Sequence, residues 1–142
     1  MARKDNKLDQ LGRVPLFSAL NKRELQIVGR ASDEIMVPAD KILCKEGAPG
    51  HEFYLILSGT AAVKRGTKKI ATLGAGKYFG EISLLDRGPR NATVVAESDL
   101  DVLVLGQREF SGVLDEVPGL AHKLLASMAA RLRESDAKAY HH

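Results

Sequence analysis

Three residue types suited to binding a charged ligand come together in one short segment, "KYFGEISLLDRGPRNATV", residues 77–94. Gly80 precedes "EISLL", which can form about two turns of helix, and a glycine lets the backbone approach a ligand closely. The first N–H groups of a helix have no partner within it, so they favour an anion. Arg90 follows a turn sequence, "DRGP", and can fold back to offer a planar pair of donors to two phosphate oxygens. The segment therefore predicts a phosphate site.

Glu81 adds a carboxylate beside that site, where its negative charge would repel a phosphate. An ionised carboxylate only accepts hydrogen bonds, so it suits this position if it binds a sugar hydroxyl. A phosphate and a ribose in one small loop indicate a nucleotide. The alternative is that Glu81 and Arg90 form a surface ion pair that fastens a hairpin and binds no ligand.

Other candidate sites fail on their spacing. The glycines of "GAGKYFG" have the spacing of neither a dinucleotide-binding loop nor a Walker loop. His51 and Glu52 form no H-E-x-x-H zinc motif, and His122 stands alone. No serine, histidine and aspartate arrangement indicates a nucleophile, and there is no cluster of His and Asp that would hold metal for hydrolysis. The sequence therefore predicts no enzyme activity and no metal site.

The elements that position these residues begin with a helix and continue as strands. Asn21 is placed as a helix cap with Glu24 three residues later, which predicts a helix from about Lys22 to Arg30. From Glu34 to Leu105 the chain consists of short segments rich in Val, Ile and Leu, separated by Gly, Pro and Asp. This pattern predicts seven or eight strands in a closed or sandwiched antiparallel sheet.

Two helices are predicted after the strands. The first ends near Pro118, where the second and longer one begins. The second helix carries apolar residues on adjoining turns, so it is predicted to be amphipathic and to pack this face on another part of the chain. These residues are Leu120, Leu124, Met128 and Leu132.

Composition limits the class of protein. The chain has 142 residues, of which 44% are apolar, so one domain can bury a core without metal or disulfides. The single cysteine, Cys44, fits a reducing cytosol. There is no apolar run of about 18 residues and no signal peptide, and the net charge of +3 comes from scattered residues. We therefore expect a cytoplasmic protein that binds neither a membrane nor, by this chain alone, nucleic acid.

The segment "GEISLLDRGPRNATV" resembles the phosphate-binding cassette of the cyclic nucleotide-binding domains, a family that includes the catabolite activator protein, protein kinase A regulatory subunits and nucleotide-gated channels. The resemblance covers nearly the whole chain. "VPLFSALNKREL" is similar to the amino-terminal helical motif, and "KEGAPGHEFYLILSGTAAV" is similar to the barrel strands. "REFSGVLDEVPGLAHKLLASMAARL" is similar to the paired carboxy-terminal helices.

The fold implied by the resemblance is mainly β with flanking α. It is a jelly-roll-like β-roll of about eight strands, with an amino-terminal helical motif, a cassette helix between strands, and two carboxy-terminal helices that form a lid. The implied organisation is one domain, residues 1–142. Its parts are the amino-terminal helices at 8–30, the β-roll at 33–106 with the cassette at 80–92, and the carboxy-terminal helices at 107–138.

The resemblance also implies a role for each site residue. A glutamate matching Glu81 holds the ribose 2′-hydroxyl, and an arginine matching Arg90 neutralises the cyclic phosphate. On the last helix, Arg131 matches a position from which some family members stack a guanidinium on the purine; the alternative is a solvated helix charge. The phosphate cradle begins at Gly80 and is completed by backbone N–H groups at the positions of Ile82, Ser83, Asn91 and Ala92.

Asn91 bears on the choice of nucleotide. Other family members have Ser, Thr or Ala there, and a hydroxyl at this position accepts a hydrogen bond from the 2-amino group of guanine. The amide oxygen of Asn91 can also accept, which leaves cGMP open. The resemblance implies cAMP as the ligand, because cAMP is the commoner ligand of the family members that this chain resembles.

The predicted function is that of a sensor in which the terminal helices close over the bound nucleotide and act on an effector protein or domain. One alternative is a docking or dimerisation module of the same fold that binds no nucleotide. Another is that the chain is a fragment of a larger transcription regulator, channel or enzyme.

Overall fold

The computed structural model describes residues 2–86 and 88–140; Arg87, within the predicted cassette, lies outside the described residues, as do both ends of the chain. Helix α1 spans Ala2–Arg13, a turn of 3-10 helix spans Pro15–Phe17, and α2 spans Lys22–Ala31. Helix α1 begins well before the predicted start near Leu8. Its first residues are mostly Lys, Arg, Asp and Asn, so their composition gave no sign of a helix in the sequence. The helix is nevertheless anchored in the core by Leu11, which is 1% exposed.

The start of α2 follows the sequence prediction. The Asn21 side chain accepts from the backbone N–H of Glu24, and the Glu24 carboxylate accepts from the backbone N–H of Asn21, both at 2.9 Å. This reciprocal cap satisfies two amide donors that the helix itself leaves unpaired.

In the part of the chain that the structure describes, eight strands form two antiparallel four-stranded sheets. The first sheet has the order β1-β8-β3-β6 and the second the order β2-β7-β4-β5. The predicted β-roll of about eight strands with flanking helices is therefore confirmed. The strands are β1 Asp33–Val37, β2 Ile42–Cys44, β3 Glu52–Ser58, β4 Ala61–Arg65, β5 Lys68–Leu73, β6 Tyr78–Phe79, β7 Thr93–Ala96 and β8 Leu100–Gly106.

Strands β3 and β8 of the first sheet are buried on both faces. Alternate residues of β8, such as Val102 and Val104, pack in the core between the two sheets. Their neighbours Leu103 and Leu105 pack in a second core with the helices. Since successive side chains of a strand point to opposite faces, this double burial explains why the strand reads as a continuous apolar run.

Three further helices complete the fold. Helix α3 spans Glu81–Asp86 and lies between β6 and β7, and α4 spans Gln107–Glu116. Helix α5 spans Pro118–Tyr140 and starts at the proline where the sequence predicted a boundary.

The apolar face of α5 is shorter than the sequence predicted. Leu120 and Leu124 are buried in the core shared with the amino-terminal helices, and Met128 is half-buried. Leu132, however, is 66% exposed, so the part of this face that packs in the structure ends at Met128. The reason is that every residue from 129 to 135 is exposed: beyond Met128 the helix no longer packs on the core.

Candidate functional site: a cavity lined by the 80–92 segment

Gly80 shapes the start of α3. Its φ angle is +97°, in the left-handed region that side chains rarely adopt, and an added Cβ would lie 2.5 Å from the carbonyl oxygen of Glu52. Glycine is therefore required both by the backbone conformation and by the close approach of β3. The turn directs the chain into α3, with Glu81 as the first helical residue.

Arg90 folds back against this turn, as the sequence predicted. It is only 7% exposed, and it donates from Nη1 to the carbonyl oxygen of Gly80 at 3.0 Å and from Nη2 to that of Glu52 at 2.7 Å. An added Cβ at Gly50 would lie 2.6 Å from Nε of Arg90, so the guanidinium also requires a glycine beside it. The side chain is thus held by β3 and the cassette turn together. Two of its five N–H donors are engaged, and within residues 2–86 and 88–140 the other three have no acceptor.

Glu81 is 2% exposed and carries a buried charge. Its Oε1 accepts a hydrogen bond from Nη2 of Arg131 on α5 at 3.0 Å. Its Oε2 is also buried and has no hydrogen-bond partner among the described residues. A buried carboxylate oxygen without a donor is costly, so this atom marks a place where a donor is missing.

The alternative of a surface ion pair between Glu81 and Arg90 is wrong. Both residues are buried, Glu81 pairs with Arg131, and Arg90 donates to two backbone carbonyls. The two side chains are brought to the same site by different partners, and neither serves to hold the other.

A cavity of about 240 Å³ brings the predicted residues together. It is bounded by the cassette, the β4 and β5 strands, and α5. All eight residues selected from the sequence line it: Gly80, Glu81, Ile82, Ser83, Arg90, Asn91, Ala92 and Arg131.

Four residues that line the cavity have backbone N–H groups with no backbone acceptor among the described residues. No backbone carbonyl in residues 2–86 and 88–140 accepts a hydrogen bond from the N–H groups of Ile82, Ser83, Asn91 or Ala92. These residues line the cavity, so their N–H groups and Arg90 provide a set of donors suited to an anion.

The rest of the cavity wall was missed by sequence reasoning. Its members come from strands β2, β4, β5, β6 and β7. Val63 and Arg65 follow the period of two that the sequence could have shown, but Ile70 and Ala71 are neighbours next to an irregularity in the pairing of β4 with β5, which the period does not predict. Burial raises the pKa of the Cys44 thiol to about 11, so this thiol is a neutral part of the wall at physiological pH. The missed residues include Cys44, Val63, Arg65, Ile70, Leu73 and Tyr78.

Arg131 lies at the cavity but has a different partner from the predicted purine. Its side chain is 52% exposed and bridges α5 to the buried carboxylate of Glu81. Two more polar contacts attach α5 to the rest of the chain. Tyr78 donates its hydroxyl to Oγ of Ser127 at 3.0 Å, and Nζ of Lys123 donates to the carbonyl oxygen of Pro15.

The part of the chain that the structure describes contains no group of three or more His, Cys, Asp and Glu side chains arranged to hold a metal ion. None of its helices combines the length and the apolar character needed to cross a membrane.

Comparisons with known proteins identify the family of this chain. The family model for the cyclic nucleotide-binding domain matches residues 34–117. A cAMP-dependent protein kinase regulatory subunit from Hypocrea atroviridis is 36% identical over 113 residues, which are 80% of this chain and 24% of the relative. The cyclic AMP receptor protein of Thermus thermophilus is 35% identical over 127 residues, 86% of this chain and 59% of the relative.

A solved structure has a similar fold over most of this chain. PKAR CBD2 with bound Sp-2Cl-cAMPS superposes with a TM-score of 0.78 at 28% identity, covering 94% of this chain and 91% of that chain. The curated relatives are longer, since this chain spans 24% of the kinase regulatory subunit and 59% of the receptor protein. The family model matches more than half of the sequence, which confirms the resemblance found in the sequence. This chain belongs to the cyclic nucleotide-binding domain family.

Proposed function

We propose that this chain senses cAMP by binding it in the cavity described above, and that binding changes how α5 is held. The observation that carries the proposal is the buried Oε2 of Glu81, which lacks a donor in a cavity that also contains Arg90 and unpaired backbone N–H groups. A ligand that presents both a hydroxyl and an anion satisfies these groups together.

The phosphate end lies at the cassette. Arg90 retains three N–H donors after its two hydrogen bonds to carbonyls, and its charge is held in place by those bonds. The N–H groups of Ser83 and Ala92, with their neighbours, add neutral donors. Donors fixed in advance lose little conformational freedom when the phosphate arrives, which favours tight binding.

The ribose end lies at Glu81. A hydroxyl that donates to its carboxylate makes a charge-assisted hydrogen bond, and this bond relieves the unsatisfied oxygen. The carboxylate also accepts from Arg131, whose side chain is about half exposed and can turn towards solvent at little cost.

The purine is placed against apolar side chains of β4 and β5, including Val63, Ile70 and Leu73. The relatives named for cAMP favour adenine, because both the kinase regulatory subunits and the receptor protein carry cAMP in their names. Asn91 lines the cavity and offers an amide oxygen, so cGMP is the second nucleotide to test.

Helix α5 is the element that reports binding. Arg131 joins it to Glu81, the same residue that the ribose approaches, so ligand and helix meet at one carboxylate. A nucleotide can shift α5 only by binding one of its positions more tightly than another. The effector that responds to α5, and a cytoplasmic location, stay predictions.

Calorimetric titration of cAMP and cGMP into the chain tests the proposal. We expect one nucleotide to bind per chain, with cAMP the tighter, because a single cavity holds all of the groups described. Binding of both nucleotides weaker than about 1 mM, equivalent to about −4.1 kcal/mol, would contradict the sensor and favour a docking or dimerisation module.

Hydrogen exchange tests the role of α5. We expect cAMP to protect backbone amides of residues 121–134 as well as those of the cassette, because the exposed end of α5 gains a surface to contact when the cavity fills. Arg131→Ala is expected to reduce affinity by about 0.5–2 kcal/mol, the contribution of a guanidinium that leaves Glu81 and stacks on the purine, and to reduce the protection of α5 more than that of the cassette. Identical exchange of α5 with and without cAMP, while the cassette is protected, would contradict the lid.

A further inference from the structure

Arg65 is a cavity residue to which neither the sequence analysis nor the family match gives a role. It is the last residue of β4, and it lines the cavity together with Val63, two positions earlier. Lys64, between them, is not part of the cavity wall, as the alternation of a strand requires. The guanidinium is therefore directed to the ligand side of the sheet.

A hydrogen bond holds the guanidinium next to the cassette. Nε of Arg65 donates to the carbonyl oxygen of Asn91 at 3.3 Å. The turn that follows β4 is fixed as well, because the N–H of Gly66 donates to the carboxylate of Glu46 at 2.9 Å. Asn91 directly follows Arg90, so Arg65 is bonded to the residue next to Arg90.

The terminal nitrogens of Arg65 have no protein acceptor. Within residues 2–86 and 88–140, Nη1 and Nη2 of Arg65 make no hydrogen bond, and the side chain pairs with no carboxylate. The other two arginines of the cavity differ in this respect, because Arg90 donates from both terminal nitrogens and Arg131 is paired with Glu81.

The charges of the cavity wall point to an anion at this position. Three arginines and one carboxylate, Glu81, line it, and Arg131 offsets that carboxylate. Arg65 and Arg90 remain as positive charges, both beside Asn91. With Nε engaged by a carbonyl, the two terminal nitrogens of Arg65 still present the planar arrangement that matches two phosphate oxygens.

On the basis of the proposed function, we propose that Arg65 is a second phosphate-contacting residue, which binds the nucleotide from β4 while Arg90 binds it from the cassette. Arg65 is exposed, so it also adds positive charge where the anion enters. Its contact is with the phosphate and not with the purine, so it strengthens binding of cAMP and cGMP alike.

The test compares Arg65→Gln with Lys64→Gln, two substitutions that remove the same charge from adjacent positions on opposite faces of β4. We expect Arg65→Gln to weaken the binding of cAMP and of cGMP by the same factor, about 3- to 10-fold, and to reduce the salt dependence of binding. Lys64→Gln is expected to change either affinity less than about 2-fold. Thermal unfolding without nucleotide should be similar in both variants, since both side chains are on the surface of the hairpin.

Each other outcome overturns the inference in a distinct way. A loss confined to one nucleotide would place Arg65 at the purine. Equal losses of affinity in Arg65→Gln and Lys64→Gln would show that Arg65 acts only as a general surface charge. If the unsubstituted chain binds neither nucleotide, the proposed function fails and the inference fails with it. If the unsubstituted chain binds cAMP and Arg65→Gln binds it with the same affinity, only the inference fails.

Discussion

Replacing Arg90 by alanine is expected to remove most of the affinity for cyclic nucleotide. The substitution removes the buried charge and leaves the phosphate with the backbone donors and the exposed guanidinium of Arg65. Loss of one member of a desolvated charge pair costs about 2–5 kcal/mol, which corresponds to roughly 30- to 5,000-fold in dissociation constant. Calorimetry with cAMP measures this loss directly.

The same substitution has a cost for folding that only the structure reveals. Arg90 donates to the carbonyl oxygens of Gly80 and Glu52, so the variant also loses two hydrogen bonds that join β3 to the cassette. At about 1–2 kcal/mol for each bond, a domain of ordinary stability remains folded but unfolds at a lower temperature. Circular dichroism before the titration checks that the variant is folded, so that a loss of affinity is not mistaken for a loss of folded protein.

Two comparisons make the Arg90 result specific. Arg90→Lys keeps the charge but cannot bridge both carbonyls in one plane, so we expect an affinity between those of the alanine variant and the unsubstituted chain. Arg23→Ala removes an exposed arginine of α2, away from the cavity, and is expected to leave binding unchanged. Affinity in Arg90→Ala within about 3-fold of the original would show that the phosphate binds elsewhere.

The local part of the site could be predicted from sequence because it is encoded by neighbours in the chain. Gly80 gives the turn, Glu81 starts the helix, and a second turn returns Arg90 to the first, so chain order alone brings these residues together. Through the resemblance, the predicted site residues also include positions that contribute only a backbone N–H. Because every residue except proline has this group, the residue type at such a position does not reveal its role.

The remaining contacts depend on how distant elements pack. Arg65 reaches Asn91 through the pairing of β4 with β7, in which Lys64 opposes Thr93, and no short segment of sequence specifies this register. The partner of Glu81 is 50 residues away on α5. The apolar spacing of α5 also suggested that Leu132 packs, because periodicity identifies a face but not where the surface beneath it ends.

One carboxylate has two roles in the proposed mechanism. In the structure, Glu81 holds α5 through Arg131 while its Oε2 lacks a donor. A ribose hydroxyl that donates to this carboxylate either displaces Arg131 or shares the carboxylate with it. In both cases the free energy of the new hydrogen bond is coupled to the position of α5, and this coupling is the source of any signal.

Glu81→Gln is expected to weaken the binding of cAMP by about 10- to 100-fold, because a hydrogen bond to a charged acceptor contributes about 1.5–3 kcal/mol. Glutamine has nearly the same shape, and the Arg131 that it leaves unpaired is half exposed, so the variant is expected to fold. The 2′-deoxy analogue of cAMP has no hydroxyl to donate. We therefore expect the same substitution to change the affinity of the analogue by less than about 3-fold.

The two ligands and two proteins form a cycle that isolates the contact between Glu81 and the 2′-hydroxyl. Glu97→Gln is a matched control, because Glu97 is an exposed carboxylate paired with Lys69 and does not line the cavity. It should leave the affinities for both ligands unchanged. Equal losses of cAMP and 2′-deoxy-cAMP in Glu81→Gln would contradict the ribose role, because the shared loss would come from the broken link to Arg131 and a disturbed cassette.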